Sequence, residues 1–238
     1  MTRPDLAKNP DDVSTMFDQV AQRYDLLNTV MSAGQDRIWR RAVARELEAY
    51  SGELVLDLAA GTGTSSESFA AGGARVIACD FSMGMLTVGA QRRGGANRRG
   101  VTCVAGDAVH LPFAAETFDA VTISFGLRNV VDTQAALQEL LRVTKPGGRL
   151  VLCEFSHPPS RVLDWIYTRG IRIGLPLLTR RLTPNPEAYE YLPESIAAWP
   201  DQRQLSAELT RSGWTTVRWR NLSLGAVAVH RATRPTSH

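Results

Sequence analysis

Between residues 52 and 156, short β-branched runs alternate with longer stretches whose apolar residues recur every three or four positions. That alternation is the mark of βαβ units and a parallel sheet. The runs predict strands at Leu54–Leu58, Arg75–Cys79, Val101–Ala105, Ala120–Phe125 and Arg149–Phe155. Helices are expected between them at Ser65–Ala71, Met83–Arg92 and Thr133–Val143, the last with Ala136, Leu137, Leu140, Leu141 and Val143 at helical spacing. Lys145-Pro146-Gly147-Gly148 is expected to stop that helix and turn the chain into the next strand. Ahead of this core, Asp12–Tyr50 reads as helical with a break near Ser32-Ala33-Gly34, long enough to cap one end of the sheet. Behind it, Thr215–Asn221 and Ala226–Ala232 alternate around Leu224-Gly225 like a terminal antiparallel hairpin. The expectation is one α/β domain over 1–238 with a mostly parallel seven-stranded sheet ending in an antiparallel hairpin. Its parts are a helical cap at 12–50, a core at 52–156, an apolar and basic lid at 161–195 and the hairpin at 213–232.

Composition narrows the function classes. A chain of 238 residues with 44% hydrophobic content has enough apolar material for a buried core, which argues against disorder. The net charge is only +3, and Lys8 and Lys145 are the sole lysines among 27 basic residues. Only the stretch from Arg161 to Arg181 comes near a basic stripe, and no RNA-binding module accompanies it, so a nucleic-acid partner is not expected. Cys79, Cys103 and Cys153 show no CxxC spacing and read as free thiols of a reducing compartment. The four histidines are scattered, so no metal site is expected. The polar N-terminal run lacks the apolar core of a secretion signal, and a cytoplasmic location is expected. Nothing in the sequence fixes an oligomeric state.

The stretch "LVLDLAAGTG" carries an acid, Asp57, on a predicted strand and then turns on glycine. In such a sheet, ligands bind beyond the carboxyl ends of the strands, where strand order reverses. Gly61 and Gly63 allow the backbone to approach a ligand closely. The dinucleotide fingerprint calls for a third glycine, and Ser66 stands there instead. Asp80 ends the second strand, where a carboxylate accepts from ribose hydroxyls; nicotinamide, flavin and S-adenosylmethionine sites all share that feature. Asp107, in "GDA" after the third strand, is placed to receive an adenine amine while Leu111 and Phe113 line an apolar slot. Structural alternatives stand beside each reading. Asp57 would bond the turn amides, Asp80 would cap the next helix, and Asp107 would be a turn residue.

"GDAVHLPF", then "FDAVTISFGLRN", then "RVTKPGGRLVL" follow in the order seen in Rossmann-like class I S-adenosylmethionine methyltransferases. Over nearly its whole length the chain further resembles the UbiE/MenG/COQ5 family of quinone-biosynthesis C-methyltransferases. The stretches that carry the likeness are "MFDQVAQRYDLLNTVMSAGQDRIWR", "FGLRNVVD", "RVTKPGGRLVLCEFS", "YEYLPESIAAWP" and "NLSLGAVAVH". Three positions depart from the family pattern: Asp36 where histidine is usual, Ala60 where the loop usually has glycine, and Thr144 where an aliphatic residue is common. The resemblance implies S-adenosylmethionine as methyl donor and a lipophilic prenylated quinol as acceptor, usually demethylmenaquinol going to menaquinol. It also implies cofactor contacts from Thr62, Asp80, Asp107, Ala108 and Ser124. A ubiquinone-pathway quinol, another small-molecule acceptor, or a cofactor-binding protein without catalysis are the competing readings.

Carbon methylation of a hydroquinone requires a ring made electron-rich by loss of a hydroxyl proton, and a phenol of pKa ~10 needs help at neutral pH. Arg128 is expected to stabilise the phenolate or order a water that takes the proton, with an ion pair to a carboxylate such as Asp132 as the alternative. Asn129 is expected to orient the same hydroxyl, and Glu154 or His157 to act as base. Tyr24, Asn28, Tyr189 and Tyr191 are expected to close over the site. The run at 161–181 is interrupted by Asp164, Arg169 and Arg172 and cannot span a bilayer as a simple helix. Trp165, Ile166, Leu175 and Leu177 with flanking arginines fit a lid touching the inner face of a membrane, against the alternative of an ordinary packed cap.

Overall fold

The computed structural model describes residues 15, 17, 18, 21–160, 162, 165, 167, 169, 170 and 187–236, with 23 and 187–191 described for their backbone alone. The expected lid therefore lies largely outside the described residues, as do the side chains of Tyr189 and Tyr191.

Helices α1 (Tyr24–Met31) and α2 (Asp36–Leu47) precede the sheet and are separated at the predicted break. The core follows as β1 (Leu54–Leu58), α3 (Thr64–Ala70), β2 (Arg75–Asp80), α4 (Met83–Arg93), β3 (Asn97–Arg98), β4 (Val101–Ala105), β5 (Phe118–Ser124), α5 (Thr133–Val143) and β6 (Thr144–Phe155). Helices α6 (Glu187–Ala197) and α7 (Gln202–Arg211) lead to the hairpin β7 (Thr215–Leu222) and β8 (Val227–Thr233). The sheet order is β3-β4-β2-β1-β5-β6-β8-β7. Strands β4, β2, β1, β5 and β6 run parallel, and β8 and β7 add antiparallel at one edge. The chain winds outward from β1 to β4 and returns to β5 on the other side of β1, so strand order reverses between β1 and β5. That is where a ligand crevice is expected.

Two expectations are corrected. The sheet has eight strands, because β3 pairs antiparallel with β4 over two residues, too short a run for periodicity to reveal. The Pro-Gly-Gly turn does not separate helix from strand. The helix ends at Val143, Thr144 already pairs with Phe118, and the register then jumps to Arg149 opposite Ala120, so 145–148 bulge out of β6.

Side chains alternate across the strands, giving the sheet two buried faces. Leu56, Leu58, Val121, Ile123, Leu150 and Leu152 pack with α5, α7 and Trp214. Val55, Val76, Ala120, Val151, Cys153, Val227 and Val229 pack on the opposite face with Trp39, Val43 and Leu47 of α2 and Phe69 of α3. Each side buries several large apolar groups, each contributing about 1.5–3 kcal/mol. The three cysteines are free, and burial pushes the Cys79 thiol up to about 12, so it stays protonated.

Candidate active site

Two cavities open at the carboxyl ends of the strands. The smaller, about 160 Å³, contains Asp80, Phe81, Ser82, Met85, Asp107, Ala108, Asn129 and Val130 in its wall. The larger, about 410 Å³, is walled by α1 and α2, the loop after β1, Arg128, Phe155, Ile196 and the start of β8. Tyr24, Ala59, Gly61, Ser124 and Phe125 line both and form the junction. Ala59 and Phe125, the residues that follow β1 and β5, both have left-handed backbone (φ +52° and +56°). Side chains other than glycine adopt that geometry at a cost of about 1–2 kcal/mol, and here it bends the chain away from both strands at the point of reversal. Their close approach also needs Gly126, since a Cβ there would lie 2.3 Å from the Ala59 Cβ.

The acid-lined cavity is organised by Asp80. Its carboxylate accepts from the Gly61 N–H at 2.7 Å and the Ser82 N–H at 2.8 Å, fixing the glycine loop to the end of β2. Burial pushes this carboxyl up from its ordinary value, while the amides of Ser82, Gly61 and Phe81 pull it down. The helix cap expected of Asp80 is made by Ser82, whose Oγ accepts from the Met85 N–H at 3.1 Å. Asp107 accepts from the Val109 N–H at 3.0 Å, so it shapes its turn and faces the cavity as well. The apolar slot is not made by Leu111 and Phe113, which turn into the core. Phe81, Met85, Val109 and Val130 stand there instead. Asn129 is on this side of the junction, not beside the larger cavity, and its buried Oδ1 has no hydrogen-bond partner.

Asp57 bonds no turn amide through the oxygen that pairs with Ser66. The Ser66 Oγ, at the position where dinucleotide sites have glycine, donates to its Oδ2 at 2.6 Å. Burial pushes the Asp57 carboxyl up to about 7, the Ser66 hydroxyl opposing and Asp80 adding to the rise. Odd-numbered positions of β1 face α2 and α3, which puts Asp57 in the wall of the larger cavity together with Thr62, Thr64 and Ser65. Thr62 is engaged within the protein. Its hydroxyl donates to Asp25 of α1 at 2.8 Å, and its carbonyl accepts from Arg92 and Arg93 at 3.1 and 2.9 Å. Asp25 also takes Arg92 at 2.7 Å and the Thr64 hydroxyl at 3.2 Å, so it ties α1, α4 and the glycine loop together. Helix α4 comes this close only because residue 89 is glycine; a Cβ there would lie 2.1 Å from the Thr62 oxygen.

The larger cavity has an aromatic wall and two polar edges, one at Asp25 of α1 with Asp57, Thr62 and Thr64 around the glycine loop and one at Asp36 and Arg40 of α2. Trp39, Phe125 and Phe155 pack ring to ring with centroids 5.0–6.3 Å apart. Trp39 is held by its Nε1–H, which donates to the Ser223 Oγ at 2.9 Å. Asp36 is buried against Arg40, Thr29 and Ser32 at the second of these edges, paired with Arg40 within its own helix. Tyr24 and Asn28 face this cavity as expected, and burial raises the Tyr24 phenol above its ordinary value.

Arg128 lies on the helical turn Leu127–Asn129 and is 8% exposed. Its partner is not Asp132, which instead caps α5 through the Ala135 N–H. Its Nη1 donates to the Phe125 carbonyl at 2.6 Å and to Glu154 Oε1 at 2.9 Å, and the guanidinium lies over the Phe155 ring. Nε is buried without a partner, and Nη2 has none among the described residues. These two nitrogens form one side of the guanidinium fork, two parallel donors matched to a single oxyanion or a carboxylate. Glu154 stands behind Arg128 and does not line either cavity; Phe155, the next residue on the strand, does. His157 is turned the other way, with Nε2 2.9 Å from the Trp199 carbonyl.

Sequence reasoning missed Asp25, Trp39, Phe125 and Phe155 as site residues. Asp25 sits one position after Tyr24 and opposite the Arg92-Arg93 pair, a charge match between distant segments that no local pattern joins. Among the described residues, no cluster of metal-ligating side chains exists, and no helix is long and apolar enough to cross a membrane.

A family model described as the ubiE/COQ5 methyltransferase family matches residues 5–234. The chain is 65% identical over 234 residues to a demethylmenaquinone methyltransferase of Thermobifida fusca, covering 98% of this chain and 99% of that protein. Its fold is similar to that of the cyclase SpnF, with a TM-score of 0.70 at 18% identity, over 100% of this chain and 98% of that one. It is also similar in fold to a Haemonchus contortus phosphoethanolamine N-methyltransferase 2 in complex with S-adenosyl-L-methionine. The TM-score there is 0.61 at 16% identity, over 83% of this chain and 52% of that one.

Proposed function

Because the chain belongs to the ubiE/COQ5 methyltransferase family, we propose that it methylates a ring carbon of a polyprenylated hydroquinone, converting demethylmenaquinol to menaquinol with S-adenosylmethionine as donor. The carrying observation is the unpaired Nε/Nη2 side of a buried arginine at an aromatic cavity that opens into an acid-lined one. S-adenosylmethionine, when bound, supplies an electrophilic methyl on a sulfonium.

The residues of the smaller cavity fit such a group. Asp80 and Asp107 offer acceptors for hydroxyl and amine donors, Phe81, Met85 and Val130 offer apolar walls, and the orphaned Asn129 Oδ1 calls for a donor. The remaining chemistry belongs to the acceptor. Trp39, Phe125 and Phe155 hold a flat ring and exclude water. The free side of Arg128 stabilises the quinol oxygen as it loses its proton, which raises electron density at the adjacent ring carbon. Arg128 itself stays protonated. With Glu154 and His157 turned from the cavity, the hydroxyl proton leaves to solvent, and the ring carbon that gains the methyl group gives up its own hydrogen as a proton to restore the aromatic ring. Junction residues Tyr24 and Ser124 line the passage between the two cavities. The prenyl tail leads toward the membrane surface, a reading supported by the exposed Val162 and Trp165 and by Arg169 stacked on Trp165.

The test is a labelled-donor assay on purified protein. Reduced demethylmenaquinone should be methylated and the oxidised quinone should not; equal rates on both would defeat the phenolate mechanism.

A further inference from the structure

The buried Arg128–Glu154 pair is an ion pair at the strand ends that neither the fold nor the methyl transfer itself accounts for. Glu154 is 1% exposed, at the end of β6, and contacts neither cavity. Taking two charges out of water is costly, and replacing such a pair by apolar residues is often neutral or stabilising. A strand end packed against apolar neighbours gains little from a carboxylate. The geometry shows what this one does.

Both Glu154 oxygens are engaged by Arg128 or the next residue. Oε1 accepts from Arg128 Nη1 at 2.9 Å and from the Phe155 N–H at 2.9 Å, and Oε2 lies 3.4 Å from the Arg128 N–H. Glu154 therefore grips Arg128 at its backbone and at one end of its guanidinium. The Phe125 carbonyl takes the same Nη1, and the Phe155 ring supports the plane from one side. All of these fixings sit on the Nη1 side. On the other side Nε is left buried without a partner and Nη2 has none among the described residues, in a residue that lines the acceptor cavity.

We infer that Glu154 is a positioning residue, which holds Nη1 so that the Nε/Nη2 side of Arg128 meets the quinol oxygen, and whose charge sets how strongly that oxygen ionises. The inference rests on the acceptor being a hydroxylated ring, as proposed above. Its charge matters because a paired arginine attracts a phenolate less than an unpaired one. Tyr24, from α1, also faces Arg128, and burial keeps its phenol neutral; Asp36 and Arg40 of α2 and Asp57 of β1 line the same cavity.

Two substitutions separate geometry from charge. Glu154→Asp keeps the charge and shortens the reach, and Glu154→Gln keeps the acceptor on Nη1 and removes the charge. Cofactor binding close to wild type in both shows that they fold. With reduced demethylmenaquinone, Glu154→Asp should lower kcat by roughly 10²-fold at unchanged cofactor KM, the scale of a misplaced catalytic group. Glu154→Gln should turn over faster than Glu154→Asp. In a second measurement, 1-naphthol is bound with S-adenosylhomocysteine and its ionisation followed by absorbance. The bound naphthol should ionise about 1 pH unit lower in Glu154→Gln than in wild type. Wild-type turnover in Glu154→Asp, or an unshifted naphthol in Glu154→Gln, would overturn the inference. A wild-type protein that shows the Glu154-dependent naphthol shift but does not methylate the quinol overturns the acceptor assignment alone and upholds the role of Glu154.

Discussion

The smaller, acid-lined cavity takes its polar groups from strand ends and the turns just beyond them: Asp80 closes β2, Asp107 lies two residues past β4, and Asn129 ends the helical turn that follows β5. The aromatic cavity takes its walls from far apart in the chain: Asn28 and Trp39 before the sheet, Phe125 and Phe155 at strand ends, and Ile196 and Val227 near the C-terminus. One is a product of local rules repeated along a parallel sheet, so each of its contacts depends on one strand end. The other exists only when both termini fold over the sheet, so its contacts depend on tertiary packing. A donor site built by the first rule can be shared by many chemistries, whereas the second kind of wall selects the acceptor.

The comparison makes separable predictions, and the largest concerns Arg128. Arg128→Ala should cut turnover by about 10³-fold, the scale for loss of an oxyanion donor, while cofactor affinity measured by calorimetry stays near wild type. A matching loss of cofactor affinity would show that the cavities do not act separately. Next comes Asp57. Its carboxyl is held up at about 7 in the folded protein against an ordinary value of 3.8, so between these values the folded state binds the extra proton. The stability this contributes is complete below pH 4 and is lost as pH rises through 7, a fall of up to about 4 kcal/mol. Denaturant unfolding at pH 5 and pH 8 should show about 3 kcal/mol of that fall in wild type and a flatter profile in Asp57→Asn.

Asp80→Asn should raise the cofactor Kd by roughly 10²-fold, since hydrogen bonds to a charged partner contribute about 1.5–3 kcal/mol each, with kcat at saturating cofactor little changed. The smallest effect is expected at Ser66→Gly, which restores the third glycine of a dinucleotide loop. Loss of the hydrogen bond to Asp57 should cost about 1 kcal/mol in thermal unfolding. Titration with a nicotinamide dinucleotide should show no gain in binding, because the acids of the cavity repel a pyrophosphate.

The parallel core was readable from the sequence because each strand there is a short β-branched run and each helix has a repeating apolar face. Strand β1 falls at Leu54–Leu58, β4 at Val101–Ala105 and α5 at Thr133–Val143, as the pattern predicts. Asp80, Asp107 and the glycine loop were readable for the same reason: each sits at or just past the end of a strand. Helix α7 was overlooked although it carried a signal, the capping box of Asp201 and Gln204 ahead of Leu205 and Leu209. The partner of Arg128 was not readable. Asp132 is four residues away and Glu154 is 26, and only the packing of β5 on β6 brings the more distant acid to the guanidinium. The same holds for Asp25 and Thr62, which lie 37 residues apart and meet across the face of the loop.

The alternation of β6 sets a limit on how this chain can change length. Phe155 lines the aromatic cavity and Glu154 does not, because they fall on opposite sides of one strand. Inserting or deleting a single residue between Arg149 and Phe155 would exchange the two, bringing a carboxylate against the acceptor and an aromatic ring behind Arg128. The bulge at 145–148 is outside that stretch and already carries residues with no register partner on β5. Length variation in β6 is thus tolerable at its entry and excluded over its last seven positions, which makes the strand a ruler for the site at its end.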